Sequence, residues 1–289
     1  MRIVLGFLLL FPFIASAETL ELDDALRATY TACVGIDENL SDLKKMAGIN
    51  TAVTAVGTGL GAGALTVGII KADRDKLRHE LNQELVKLRT GEMSDEEFFK
   101  LLNRIPEYKK YIQANSESKT LGNWRTGLMA GNTATNIAGA IIAGNNKVDA
   151  DLDTQIKNCR AAVQNLKTSI ARARIEGADI IEATDIFNAC SGYETVDVSK
   201  INTRGRGAMI SSIVGATTGV AGTATSAVAN TENVRNGDEN KEKNINTAAN
   251  VLAGASTAAS GVATVFNATQ ISAIKKVADV ASKCTGVLK

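Results

Sequence analysis

The sequence predicts an all-α protein: a tandem pair of antiparallel helical hairpins built from Gly/Ala-rich helices, with short accessory helices between them. Three observations carry that prediction. Proline occurs only at Pro12 and Pro106, which leaves long stretches free of the residue that breaks a helix. Small residues recur at every fourth position through four separate stretches. The order of features around the four cysteines is the same in the two halves of the chain.

At the N-terminus, Met1-Arg2 precedes an unbroken apolar run from Ile3 to Ile14 and the small-x-small triplet Ala15-Ser16-Ala17. One positive charge, about a dozen apolar residues and such a triplet are the parts of a secretory signal peptide. Residues 1–17 are therefore expected to be a cleaved leader. Export places four cysteines in an oxidising compartment, where two disulfides are expected among three pairings. Removing the leader takes one arginine and no acid from a chain of formal net charge +1, leaving a neutral mature chain. A nucleic-acid protein normally carries a basic footprint, so nucleic acid is not expected as a partner.

The repeat is read from Cys33 and Cys190. Tyr30-Thr31-Ala32-Cys33-Val34-Gly35 matches Phe187-Asn188-Ala189-Cys190-Ser191-Gly192 as aromatic-x-Ala-Cys-x-Gly. A small-residue stretch follows through Val56-Gly57 or Val214-Gly215, then a charged stretch, then a second small-residue stretch around Gly131 or Gly254. The closing cysteine is Cys159 or Cys284. The first repeat is placed at 18–176 with a long charged tip, about 71–125, and the second at 177–289 with a short tip, about 231–243. Antiparallel pairing of the small-residue stretches brings Cys33 level with Cys159 and Cys190 level with Cys284. Each such bridge would be worth about 4–5 kcal/mol through loop closure, neglecting strain. The competing pairing joins Cys159 to Cys190 and leaves Cys33 for Cys284.

The four-residue series are Ala47, Thr51, Ala55, Gly59, Gly63; Gly127, Gly131, Thr135, Gly139, Ala143; Gly207, Ser211, Gly215, Gly219, Thr223, Ala227; and Ala249, Ala253, Thr257, Gly261. Residues four apart share a helix face, and a stripe of small ones lets a second backbone approach closely. Each interior glycine costs a helix about 1 kcal/mol relative to alanine, a cost that needs a packing reason. Gly59, Gly63, Gly127, Gly131, Gly139, Gly215, Gly219, Gly254 and Gly261 are accordingly the expected helix-packing positions, in the manner of a glycine zipper or coiled coil. The stretches Ala47–Ile70, Gly127–Asn146, Gly207–Asn230 and Thr247–Ile274 contain no charge and are long enough to cross a membrane. Threonine, serine and asparagine dilute them, and a bundle in water or at a surface is favoured over insertion.

The charged segments read as ordinary amphipathic helices. Ile70, Leu77, Leu81, Leu85 and Leu88 mark one apolar face, with Arg74, Asp75, Arg78, Glu80, Glu84 and Lys87 around it, and Gly91 ends the pattern. Ser94-Asp95-Glu96-Glu97 has the form of a capping box, and Pro106 stops the helix that follows. Leu152, Ile156, Val163, Leu166 and Ile170 continue a face through Cys159, with Gly177 as a stop.

No catalytic constellation is legible. His79 is the single histidine and is expected to be solvated between Arg78 and Glu80, so neither a triad nor a two-histidine metal site can be assembled. Asp149, Asp151 and Asp153 begin like a calcium loop, but Thr154 and Arg160 stand where glycine and the bidentate acid belong. Gly57-Thr58-Gly59-Leu60-Gly61 lacks the strand that a dinucleotide loop must follow. No cofactor, metal or small-molecule substrate is therefore expected. The sequence reads as a non-enzymatic bacterial protein, exported to the periplasm, the envelope or the medium. It would act as a structural or interaction module with a protein partner or by self-association. The alternative is a membrane-inserting or pore-forming protein whose four Gly/Ala-rich helices assemble in lipid.

Overall fold

A computed structural model describes residues 11–88 and 93–288, with side chains from residue 21 onward. Residues 1–10 of the expected leader and Gly91 lie outside the described residues. Among those described there is helix and no strand. The elements are α1 (Phe11–Cys33), α2 (Ile36–Lys87), α3 (Asp95–Leu102), α4 (Pro106–Asn145), α5 (Ala150–Glu176), α6 (Ile181–Cys190), a 3-10 turn (Ser191–Thr195), α7 (Ser199–Ala229), α8 (Glu232–Arg235) and α9 (Glu239–Val287). Local signals set several ends. Ser94 caps α3 in a capping box with Glu97. Asp149 caps α5 by accepting from the Leu152 amide, and Gly177 closes that helix at φ 77°. The Asp149 carboxylate is thereby used as a cap.

The chain forms two units that do not coincide with the two halves of the sequence. The first comprises residues 1–49, 143–206 and 266–289; the second comprises 50–142 and 207–265. The first unit has a conventional apolar core. Leu152, Ile156, Val163, Leu166 and Ile170 of α5 are buried with Leu22, Ile36, Leu40, Ile201 and Ile274. Both cysteine pairs lie within it as disulfides, Cys33–Cys159 and Cys190–Cys284, with no free thiol among the described residues. This is the pairing that the antiparallel alignment favours.

The second unit has a small apolar cluster, Ala64, Met129 and Ala253, and further buried apolar residues such as Leu81, Leu85, Leu102 and Val234 nearer its charged tips. Its buried positions form narrow seams of small and polar residues. On α2 these are Thr54, Gly57, Gly61, Ala64 and Gly68; on α4, Met129, Asn132, Asn136 and Gly139; on α7, Ser212, Gly215, Gly219, Gly222 and Ser226; on α9, Ala249, Ala253, Ser256, Ser260 and Ala263. The steps alternate between three and four residues, the 3.5-residue period of a coiled coil. A four-residue period advances 400° per step and so drifts about 40° around the helix each time. That is why Ala55, Gly59 and Gly127 are exposed although they belong to the expected stripes.

Close approach sets the register. A Cβ at Gly57 would lie 2.5 Å from Thr135 Oγ1, and one at Gly61 would meet Asn132 and Thr257. A Cβ at Gly215 would lie 2.7 Å from Asn136, and one at Gly219 would lie 2.5 Å from Thr133. These contacts run α2 antiparallel to α4 and α4 antiparallel to α7. Hydrogen bonds then join α4 to α9: Asn132 Nδ2 donates to Ser256 Oγ (2.9 Å) and Asn136 Nδ2 to Ser260 Oγ (2.8 Å). Ser256 Oγ in turn donates to the Gly215 carbonyl of α7 at 2.8 Å.

The glycines separate into two energetic classes. Replacing Gly215 by alanine should destabilise the fold by about 1–3 kcal/mol, because Asn136 is tied to Ser260 and cannot step aside. Replacing Gly254, which has nothing within 4 Å of a built Cβ, should stabilise it by up to about 1 kcal/mol through helix propensity. Thermal unfolding followed by circular dichroism reads both signs, and equal effects at the two sites would contradict the assigned seam.

Candidate functional site

Continuing the α2 seam past Gly68 by the same steps brings Lys71, Asp75 and Arg78 to buried positions. The expectation of an apolar face on Ile70, Leu77, Leu81, Leu85 and Leu88 is thus corrected in part. Leu81 and Leu85 are buried, whereas Ile70, Leu77 and Leu88 are exposed and the charges take the interior. The phase of the seam decides this, since it is inherited from the tightly packed glycines upstream.

Among the described residues the buried charged side chains are Lys71, Asp75, Arg78, Arg125, Arg235 and Glu242, all in the second unit. Lys71 Nζ donates to Asp75 Oδ2 at 2.5 Å and lies 3.7 Å from Glu242 Oε1. Asp75 also accepts from Asn246 Nδ2 at 2.9 Å and from the Ser118 hydroxyl. Arg78 pairs with Glu242, and His79 Nε2 lies 2.6 Å from Glu242 Oε2. His79 is therefore a half-buried partner of Glu242, not the freely solvated side chain expected. Arg125 donates through Nε to Ser226 Oγ (3.0 Å) and through Nη1 to Asn246 and Asn250 (3.2 and 3.3 Å). Arg235 donates through Nη2 to the Asn115 carbonyl at 2.6 Å and to its side chain at 2.7 Å. Asn246 thus joins Arg125 to Asp75 through one side chain.

Burial lowers the pKa of Lys71 from its ordinary value, against the opposing pull of Asp75. A lysine with a depressed folded-state pKa binds its proton less well folded than unfolded. Its cost is full below the folded-state pKa and is relieved as pH rises towards the unfolded value. Arg235 is likewise shifted down, first by burial and then by the neighbouring Arg78 charge. A cavity of about 340 Å³ opens beside the cluster between α2 and α9, lined in part by Asp75, His79, Glu242, Asn246 and Asn250. Among the described residues, no set of three or more His, Cys, Asp or Glu is placed to hold a metal ion.

The residues singled out in the sequence sit elsewhere. The four cysteines are in the first unit. Gly139, Gly215 and Gly219 face side chains at close range, and Gly131 is 3.1 Å from Leu60 through its built Cβ. Gly63 and Gly261 make ordinary contacts, and Gly59, Gly127 and Gly254 face open space. The sequence pattern alone places Asp75 and Arg78 around an apolar face; extending the 3.5-residue seam of α2 turns Lys71, Asp75 and Arg78 inward, whereas Arg125, Arg235 and Glu242 come from α4, α8 and α9. No protein-family model, curated protein or solved structure matches the chain.

Removing one partner of a buried ion pair leaves the other uncompensated, at a cost of about 3–5 kcal/mol. Glu242→Gln should therefore lower unfolding stability by that order. Glu239→Gln, on the exposed side of α9 with Gln83 as its partner at 3.3 Å, should change it by less than about 0.5 kcal/mol. Equal losses in unfolding titrations of the two variants would remove the cluster from any structural role.

Proposed function

We propose that this is an exported, non-enzymatic membrane protein whose second unit, a four-helix bundle, is inserted in lipid. The small-residue seams interdigitate in the glycine-zipper manner, α2 with α4 and α7 with α9 forming two hairpins, each closed by one disulfide. The reading rests on one observation: the second unit is polar inside and apolar outside.

Residues 50–70, 123–142, 209–229 and 248–265 contain one charge between them, Arg125, which is buried. The register of the seam contacts puts these four segments at the same level. Their length, about 20 residues at 1.5 Å per residue, is about the 30 Å of a bilayer's hydrocarbon core. Large apolar side chains point outward all round. They include Val56 and Ile69 on α2, Ile137 and Ile141 on α4, Ile213 and Val220 on α7, and Val251 and Val262 on α9. In water such a belt would be an exposed apolar patch far beyond what monomers carry. Among the described residues two helices, those containing α2 and α9, are long and apolar enough to cross a membrane by themselves, and 28 % of each one's most apolar 18-residue stretch is buried. Trp124, 64 % exposed at one edge of the belt, suits the lipid–water boundary. With four crossings, all four cysteines lie on one side, the oxidising one, and both charged tips on the other.

The buried asparagines and serines have a role in this setting. Between helices in lipid, close packing and interhelical hydrogen bonds replace the hydrophobic effect as the source of association. The same polar seam is the surface that a pore would expose if the helices separated.

Membranes from cells expressing the chain, washed at alkaline pH, should retain it as a disulfide-bonded species. Recovery in the soluble fraction would return the protein to the class of secreted interaction bundles. Val220→Lys, at mid-belt, should impair insertion by about 2.5–3.5 kcal/mol if the site faces lipid. A change within about 0.5 kcal/mol, as for an ordinary surface residue in water, would contradict insertion.

A further inference from the structure

The chain passes between the two units four times, at 49–50, 142–143, 206–207 and 265–266. Hydrogen bonds and one cavity put these passages at one level of the first unit. Gln270 of α9 donates through Nε2 to the Asn146 carbonyl after α4 (2.9 Å) and to the Ile201 carbonyl of α7 (3.3 Å). Arg204 of α7 donates through Nη1 to the Thr269 carbonyl at 2.6 Å. Leu43 and Met46 of α2 line a cavity together with Asn146 and Lys147.

On leaving the apolar segments for the first unit, every stretch of chain meets a cation first: Lys45 on α2, Lys147 after α4, Arg206 on α7 and Lys275 on α9. All four are exposed, and so are Lys44 and Lys276 beside them. The acids come only further on, at Asp42, Asp149, Asp197 and Asp279. The opposite ends of the same segments have no such bias. There the first exposed charges are Asp73, Lys119, Glu232 and Lys243, two of each sign. Long basic side chains next to an apolar surface keep their stems along it and carry the charge to the polar boundary. Cations gathered at that boundary are attracted to anionic lipid over about a Debye length, and neutral headgroups offer no such gain.

We propose that Lys44, Lys45, Lys147, Arg206, Lys275 and Lys276 form a collar that binds the headgroups of anionic phospholipids such as phosphatidylglycerol. The collar rests on the insertion of the second unit in lipid. Lipid is the occupant because the cations stand on four separate stretches of chain, each next in sequence to an apolar segment.

The test uses the full, disulfide-bonded chain reconstituted in phosphatidylcholine vesicles with trace spin-labelled phosphatidylglycerol or phosphatidylcholine. Lipid held at the protein surface gives a motionally restricted component in the electron spin resonance spectrum. Phosphatidylglycerol should enter that component with an association constant about threefold or more above that of phosphatidylcholine. Sodium chloride at about 1 M, where the Debye length is about 3 Å, should reduce the ratio. Lys45→Gln, Lys147→Gln, Arg206→Gln and Lys275→Gln combined should bring it to about one. Lys119→Gln with Lys243→Gln, at the opposite end, should leave it unchanged. Equal association of the two lipids with the unaltered chain, a preference that survives the collar substitutions, or one lost with the opposite-end pair would overturn the collar alone. No restricted component from either lipid would overturn insertion, and the collar with it.

Discussion

The approach of helix backbones in the second unit governs the remainder of its structure. Where Gly57, Gly61, Gly215 and Gly219 face Thr135, Asn132, Asn136 and Thr133, the space for a Cβ is already occupied. Seams this narrow hold glycine, alanine, serine and asparagine, and they exclude valine and isoleucine. The larger apolar side chains have only the outer face left to them. Polar groups drawn into the seam find partners on the facing helix, as Asn132 and Asn136 do on Ser256 and Ser260. One constraint therefore yields the tight register, the hydrogen-bonded interior and the apolar exterior together.

The first unit follows the opposite rule. Its core is Leu, Ile and Val around two disulfides, the composition of a domain stabilised by burying apolar area from water. Along the seams of the second unit large apolar side chains are scarce, so cohesion there comes from dispersion at short range and from hydrogen bonds. The charge cluster beginning at Lys71 continues the same seam. Once glycines fix the phase of α2, the positions at Lys71, Asp75 and Arg78 face inward whatever their polarity. Their charges are then met by Ser118, Asn246 and Glu242 from α4 and α9.

Much of the fold was legible in the sequence. Helical content followed from the missing prolines, the disulfide pairing from the antiparallel level of the cysteines, and the α5 face and the Ser94 cap from local pattern. The seams were legible only in outline. A four-residue stripe coincides with the true one over two or three steps, as at Gly215 and Gly219, and then drifts off, as at Gly59. That drift also hid the candidate site, because Asp75 and Arg78 read as solvated while the phase was wrong. Nothing in the sequence pointed to Arg235, which reaches the cluster through the short helix α8 and the backbone of Asn115.

In the proposed state the apolar residues of the second unit face lipid. Every native cysteine among the described residues is in a disulfide, so an introduced cysteine is a unique labelling site. Spin labels at Val56, Val220 and Val262, one at a time in vesicles, can be relaxed by oxygen, which partitions into lipid, or by a water-soluble nickel chelate. Insertion predicts strong oxygen and weak nickel relaxation at all three positions. Nickel relaxation exceeding oxygen at all three would place the belt in water and contradict insertion.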